Sequence, residues 1–434
     1  SGADSLRSRM LILDNASQWL HNFWAFMHER FNFLPALPDH LDALALTSLL
    51  LIAGLLIGET LHHRFGWPKI IGYVLAGTIF GPAALGWIDQ AALLRARPLA
   101  DAALGLLMME VGRRLDLGWM RRNPELIRSS ATDIGLSFLL IFGFAHFIVG
   151  LAPVWAAATA AVTMASAPTV VMLVIEDSRA QGQVSERMIL HTAIGAAASF
   201  IAFAVVLGFV HAENSRHWSV IAHPLWVAAG ALLAARLCSW LALRIARFLP
   251  KRSLAQVFIL IACAMLAVGL ARMLAVPVYL TLFLMGALVT GHDKEQTLRY
   301  TNLPDAHWLL AIILFVIVGA TLPWHEFTWL AGLQAVGLIA VRAVAKMGAL
   351  AISPGSLPLQ KRLLVGIGIQ PLSATAVFMA SEIASLYPEI GAAPLTLPLF
   401  AAAIMELLGP ALCRLAIRRS GEGVETDREK GGLA

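Results

Sequence analysis

Long apolar stretches recur along the chain from residue 42 onward, separated by short polar connectors. A helix needs about 20 mostly apolar residues to cross a bilayer. On that measure the pattern predicts spans near 42–62, 69–86, 98–115, 131–151, 155–175, 188–210, 220–245, 254–274, 277–291, 307–323, 328–351, 361–386 and 393–418, thirteen in all. Residues 1–40 break the pattern. They open on SGADSLRSRM, which reads as a tag remnant rather than a signal peptide, and continue with aromatic residues among Asp14, His28, Glu29 and Arg30. That mixture is too polar to span and suits a helix lying in the membrane interface.

The connectors test the count. After odd-numbered spans stand Arg64 and Lys69; Arg113, Arg114, Arg121, Arg122 and Arg128; Arg179 and Arg187; Arg244, Arg247, Lys251 and Arg252; Lys294 and Arg299; and Lys361 and Arg362. After even-numbered spans stand only Arg95, Arg97, Arg216 and Arg272. Basic loops favour the cytoplasmic side, so the alternation predicts an outside N-terminus and a cytoplasmic C-terminus in a bacterial-type inner membrane. The polar tail, 420–434, follows Arg414, Arg418 and Arg419 and agrees.

Composition strengthens this picture. Of 434 residues 59% are hydrophobic and 14% charged, with a mean hydropathy of +0.75. An average soluble protein is about 25% charged, so a lipid bilayer is the expected surroundings. The net charge of +5 belongs to the loops and does not point to nucleic acid. Cys238, Cys263 and Cys413 lie in apolar stretches without metal-ligand spacing. No nucleotide loop, catalytic triad or metal cluster is apparent, so neither an enzyme nor a cofactor is expected.

Spans 1–6 (about 42–210) and 8–13 (about 254–418) echo one another across a linker helix at 220–245. Span 2 reads IIGYVLAGTIFGP and span 9 VYLTLFLMGALVTG; both are short and glycine-containing. Span 5 contains TMASAPTVV and span 12 GIQPLSATAV, each with a proline among small hydroxyl residues. One linker span makes the second unit enter from the opposite side, so the repeat is inverted. Proline removes a backbone donor and interrupts a helix. Matched interruptions in two halves point to a transport site at mid-membrane, against the alternative of simple kinks.

These motifs, with LADAALGLLMMEVG, ILFVIVGATL and KMGALA, resemble in order those of the monovalent cation:proton antiporter superfamily, in particular its Kef/Nap-type branch. The resemblance covers residues 41–419 and implies an all-α polytopic transmembrane domain of about 13 helices, with inverted six-helix repeats and two broken helices that cross. It further implies a homodimeric elevator transporter that exchanges a monovalent cation for protons. Lys346 matches the span 11 lysine of electrogenic members. Ser166 and Thr169 in the first broken helix, and Ser373 and Thr375 in the second, are candidates to line the ion path.

One departure matters. Such antiporters carry Asn-Asp or Asp-Asp in span 6, where proton and cation compete. Span 6 here has no carboxylate: the pair falls on Ala196 and Ala197 or, in a shifted register, on His191 and Thr192. Gln370-Pro371-Leu372-Ser373 also replaces a Pro-Arg-Gly-Glu-like stretch of many relatives.

The remaining buried charges therefore carry weight, since each costs at least about 2.5–3.5 kcal/mol at the membrane centre. Lys346 and Arg342 share one face of span 11, Glu406 lies in span 13, and Asp133 begins span 4. Lys346 is expected to pair with Glu406 or Asp133, either as a relocated proton site or as an ion pair tying helices together. Glu110 and Asp101 lie near span ends, where solvated roles are expected. His191 is a candidate proton shuttle, or else a hydrogen-bonded packing residue. Two other functions stay open: an anion or organic-solute carrier using Arg342 and Lys346, and a non-transporting sensor on the same fold.

Overall fold

The computed structural model describes residues 43–88, 90–114, 123–214, 219–248, 254–293, 304–322, 328–353, 355, 357–372, 376, 379 and 396–423. Residues Ser1–Leu49 and Leu50–Ala434 form two units; of the first, only 43–49 are described. All that follows concerns the second.

The described elements are helical. In chain order they are α1 (Ala43–Phe65), α2 (Lys69–Phe80), α3 (Gln90–Arg113), α4 (Pro124–Gly143, extended by a π turn at Phe144–Ile148), α5 (Pro153–Thr163), α6 (Pro168–Asp177) and α7 (Gln183–Asn214). There follow α8 (Ser219–Ala246), α9 (Leu254–Met273), α10 (Val278–His292), α11 (Pro304–Thr321), α12 (Trp329–Ile352), α13 (Leu359–Gly368) and α14 (Thr396–Ser420). Each of the thirteen expected spans coincides with one of these helices or with a broken pair. Span 3 is longer than its apolar stretch: α3 starts at Gln90 and continues through Pro98.

Proline dictates both interruptions. Helix α5 ends at Thr163, residues 164–167 are non-helical, and Pro168 opens α6 at its first turn. Its missing N–H and fixed φ suit that position, whereas mid-helix its ring would strike the carbonyl four residues back. Helix α13 likewise stops at Gly368, before non-helical residues 369–372 that include Pro371. Freed backbone is tolerated at membrane depth only where protein or a cavity satisfies it. Accordingly the apolar window of Pro153–Asp177 is wholly enclosed by protein.

Glycine fixes the partners of the short helices. A Cβ on Gly77 of α2 would strike the Val316 carbonyl of α11, and one on Gly319 of α11 would strike that of Val74 on α2. The same exchange joins Gly112 of α3 to the Phe283 carbonyl of α10, and Gly286 of α10 to that of Met109 on α3. Only backbones without side chains approach this closely. The two contacts are related by the repeat: span 2 meets span 10 as span 9 meets span 3. Helices α2, α3 and α8–α11 pack into one group, and α4–α7 with α12–α14 into another.

Among the contacts joining the groups, α8 lies along α7, and Phe200 stacks on Tyr279 with ring centroids 5.4 Å apart. Near the ends of α1, α6 and α14, Asp177 Oδ2 lies 3.6 Å from His62 Nδ1 and 3.7 Å from Arg414 Nη1. Arg114 of α3 pairs with Glu176 of α6. Glu110 and Asp101 hold Arg113 at 2.8 Å and Arg272 at 2.7 Å, both acids being partly exposed.

Candidate functional site at the helix crossing

The two interruptions meet. The amide of Ala167, just before α6, donates to the carbonyl of Pro371 at 2.8 Å. Breaking a helix frees carbonyls on each side of the gap, and here the guanidinium of Arg342 collects them. From α12 its Nε donates to Thr163 O at 2.7 Å, Nη1 to Gln370 O at 2.5 Å and to Gln370 Oε1 at 3.0 Å, and Nη2 to Ala165 O at 2.7 Å. Ser166 Oγ and Pro371 O lie at the edge of reach, at 3.4 and 3.5 Å. The positive charge stands where two helix C-termini concentrate negative partial charge, which favours it. Arg342 is thereby spent on backbone oxygens, and its fork is not turned toward a substrate anion.

Lys346 lies one turn further along α12 and is also buried. Its Nζ is 3.1 Å from Asp133 Oδ2 and 3.3 Å from Oδ1. Of the two acids weighed for Lys346, Asp133 is thus in direct contact. Glu406 is fully buried in α14, where Gly409, one turn on, packs against Pro371. The pair joins α4 to α12, the two members of one repeat-related set, beside the crossing of the other. Ser137 Oγ donates to Asp133 Oδ1 at 3.1 Å.

Helix α4 carries a polar stripe that the residue-by-residue reading did not single out. Ser129, Asp133 and Ser137 recur every four positions, with Ser130 alongside, and all four are buried. That spacing puts them on one face, so the signal was present in the sequence. His191 of α7 meets this stripe: its Nε2 is 3.2 Å from Ser129 Oγ and its Nδ1 3.1 Å from Ser130 Oγ. A cleft of about 290 Å³ opens beside them, lined by Ser129, Arg187, His191, Ser353, Arg362 and apolar neighbours.

Ala196 is buried and Ala197 half-buried on α7; neither brings a polar side chain. Thr192 turns back on its own helix, donating to Met188 O at 2.9 Å. Ser166 and Thr169 sit at the first interruption, both buried. Among the described residues the Thr169 hydroxyl has no hydrogen-bond partner. Ser373 and Thr375 lie outside the described residues. No group of three or more His, Cys, Asp or Glu suited to a metal occurs among the described residues.

Comparison with known proteins agrees with this architecture. Over 104 residues the chain is 31% identical to the Na(+)/H(+)-K(+) antiporter GerN of Bacillus cereus, and over 97 residues 29% identical to a Na(+)/H(+) antiporter of Enterococcus hirae. These alignments cover 24% and 22% of this chain, and only 25% and 24% of those relatives. The sodium proton antiporter MjNhaP1 from Methanocaldococcus jannaschii, determined at pH 8, superposes with a TM-score of 0.68 at 18% identity, covering 87% of this chain and 98% of that one. At that identity the likeness shows the fold: a polytopic membrane protein with inverted repeats and two crossing broken helices. The family model for the transmembrane sodium/hydrogen exchanger matches residues 48–412, so the chain belongs to the sodium/hydrogen exchanger family of membrane transporters.

Proposed function

We propose that this chain exchanges Na⁺ or K⁺ for protons by an elevator-type alternating access, with the Asp133–Lys346 pair in place of the missing span 6 carboxylate. The observation that carries the reading is an acid and a base in contact, both buried, beside the crossing. A buried site resists net charge. Carboxylate and ammonium together are neutral. If a monovalent cation takes the ammonium's place on Asp133, neutrality returns only when Lys346 gives up one proton. One cation in and one proton out is therefore the exchange the pair enforces. The free Thr169 hydroxyl and its neighbour Ser166 offer oxygen ligands along the path, and Ser373 and Thr375 are assigned the same role from the other broken helix.

The commitment of Arg342 to backbone carbonyls and of Lys346 to Asp133 disfavours an anion carrier. For the elevator, the α4–α7, α12–α14 group is the moving body and the glycine-locked group the fixed one, the latter also carrying the contact of a homodimer. The boundaries proposed are 41–419 for this domain and 420–434 for a cytoplasmic tail, with the N-terminus outside an inner membrane. Glu406 is assigned to holding α14 in the core. The test is flux in proteoliposomes with an internal pH dye. Na⁺, K⁺ or Li⁺ should each be tried, and at least one should drive protons out. Asp133→Asn should abolish that flux; a folded Asp133→Asn protein with full exchange refutes the assignment.

A further inference from the structure

A proton released at Lys346 must leave a site in which Lys346, Asp133 and Ser137 are all enclosed. The structure shows one polar line out. Ser130 and Asp133 stand one turn apart on the buried face of α4, Ser130 touches His191 Nδ1, and His191 Nε2 touches Ser129 on the wall of the cleft. The imidazole thus has one nitrogen toward the ion pair and the other toward the cleft. Every other α4 and α7 side chain in this region is apolar or bonded to its own backbone, as Thr192 is.

We infer that His191 hands protons between the cleft and the Asp133–Lys346 pair, an inference that rests on the exchange reading above. In the outward step Nδ1 accepts a proton by way of Ser130, and Nε2 releases its own toward Ser129 and water in the cleft. One proton arrives and one leaves, and the ring ends as the opposite tautomer, restored by reorientation or by the reverse passage. Imidazole suits the task because both of its nitrogens can donate or accept near neutral pH. The charged groups that face the ring are Asp133 of α4, Lys346 of α12, Arg187 of its own helix and, across the cleft, Arg362 of α13. The line leaves the ion pair on a side distinct from the interruptions, so proton and cation need not share one route.

Two exchange modes distinguish this from a packing role. Reconstituted protein carries out cation/proton exchange, read by the pH dye. It also carries out cation/cation exchange with no net proton movement, read with ²²Na⁺ or with ⁸⁶Rb⁺ as a K⁺ tracer. His191→Gln keeps hydrogen-bonding groups near Ser129 and Ser130 but cannot titrate. Proton-coupled exchange should fall about 100-fold, at the low end of general acid–base effects, while isotope exchange stays within about two-fold of the parent. Equal proton-coupled rates in parent and variant overturn the inference, as does parallel loss of both modes. Ser129→Ala removes only the cleft-side contact and should show the same selective loss. If His191→Gln does not fold, this variant decides, and an unchanged proton-coupled rate in it overturns the inference. Asp133→Asn separates the two claims: under the exchange reading it loses both modes, whatever His191 does.

Discussion

Removing Lys346 and Asp133 singly and together should give a strongly non-additive cycle. The two side chains are 1% and 3% exposed and 3.1 Å apart. At an effective dielectric of about 20, unit charges about 3 Å apart attract by about 5 kcal/mol. Lys346→Met leaves a carboxylate with only Ser137 as a close donor, and Asp133→Asn leaves an ammonium among apolar neighbours. Each should cost about 3–5 kcal/mol, the usual price of stranding one member of a buried pair. The double variant strands nothing. Replacing a buried pair by neutral groups is often neutral or better, so the double should be at least about 2 kcal/mol more stable than the worse single variant, with a coupling of about 3–5 kcal/mol. The assay is SDS-induced unfolding of purified protein in mixed micelles, followed by the fluorescence of the 12 tryptophans. Single variants of near-parent stability, or a double variant destabilised by the sum of the singles, would refute the claim that both groups are charged and paired. A stable double variant without cation/proton exchange would tie the pair to transport rather than to folding.

Two further outcomes follow from the geometry. Arg342→Lys keeps the charge but cannot span four acceptors on two helices with one ammonium, so the midpoint of thermal unfolding in detergent should fall by several degrees and transport should be lost; a thermostable, active lysine variant would count against the clamp. Gly286→Val places a side chain against the Met109 carbonyl and should destabilise by about 1–3 kcal/mol or more, whereas Gly135→Ala, with nothing within 4 Å of the new methyl, should be silent or slightly stabilising in the same assay.

Most of the fold was legible because lipid leaves few choices. Apolar runs of bilayer length announce spans, basic loops count them, and Pro168 and Pro371 mark where helices must stop. The inverted repeat was readable from those prolines together with the glycines of spans 2 and 9. Less of the site was readable. That Lys346 needed an acid followed from its depth, but choosing Asp133 over Glu406 required knowing which faces of α4 and α14 turn toward α12. The role of Arg342 was hidden because its partners, Thr163, Ala165 and Gln370, contribute carbonyl oxygens that every residue carries. The serine stripe of α4 was visible as a spacing of four, yet serine in an apolar helix often bonds only to its own backbone. Its meaning appeared only with His191 seated against it.

The bond from the Ala167 amide to the Pro371 carbonyl joins main chain to main chain. Such a link is indifferent to side-chain identity, provided position 167 is not itself proline. Substitutions on surrounding helices can therefore change what the centre holds while leaving the central knot tied. An alanine pair on α7 where relatives keep an acid is the kind of change this arrangement absorbs: chemistry can migrate to a neighbouring helix while the framework that presents it stays put.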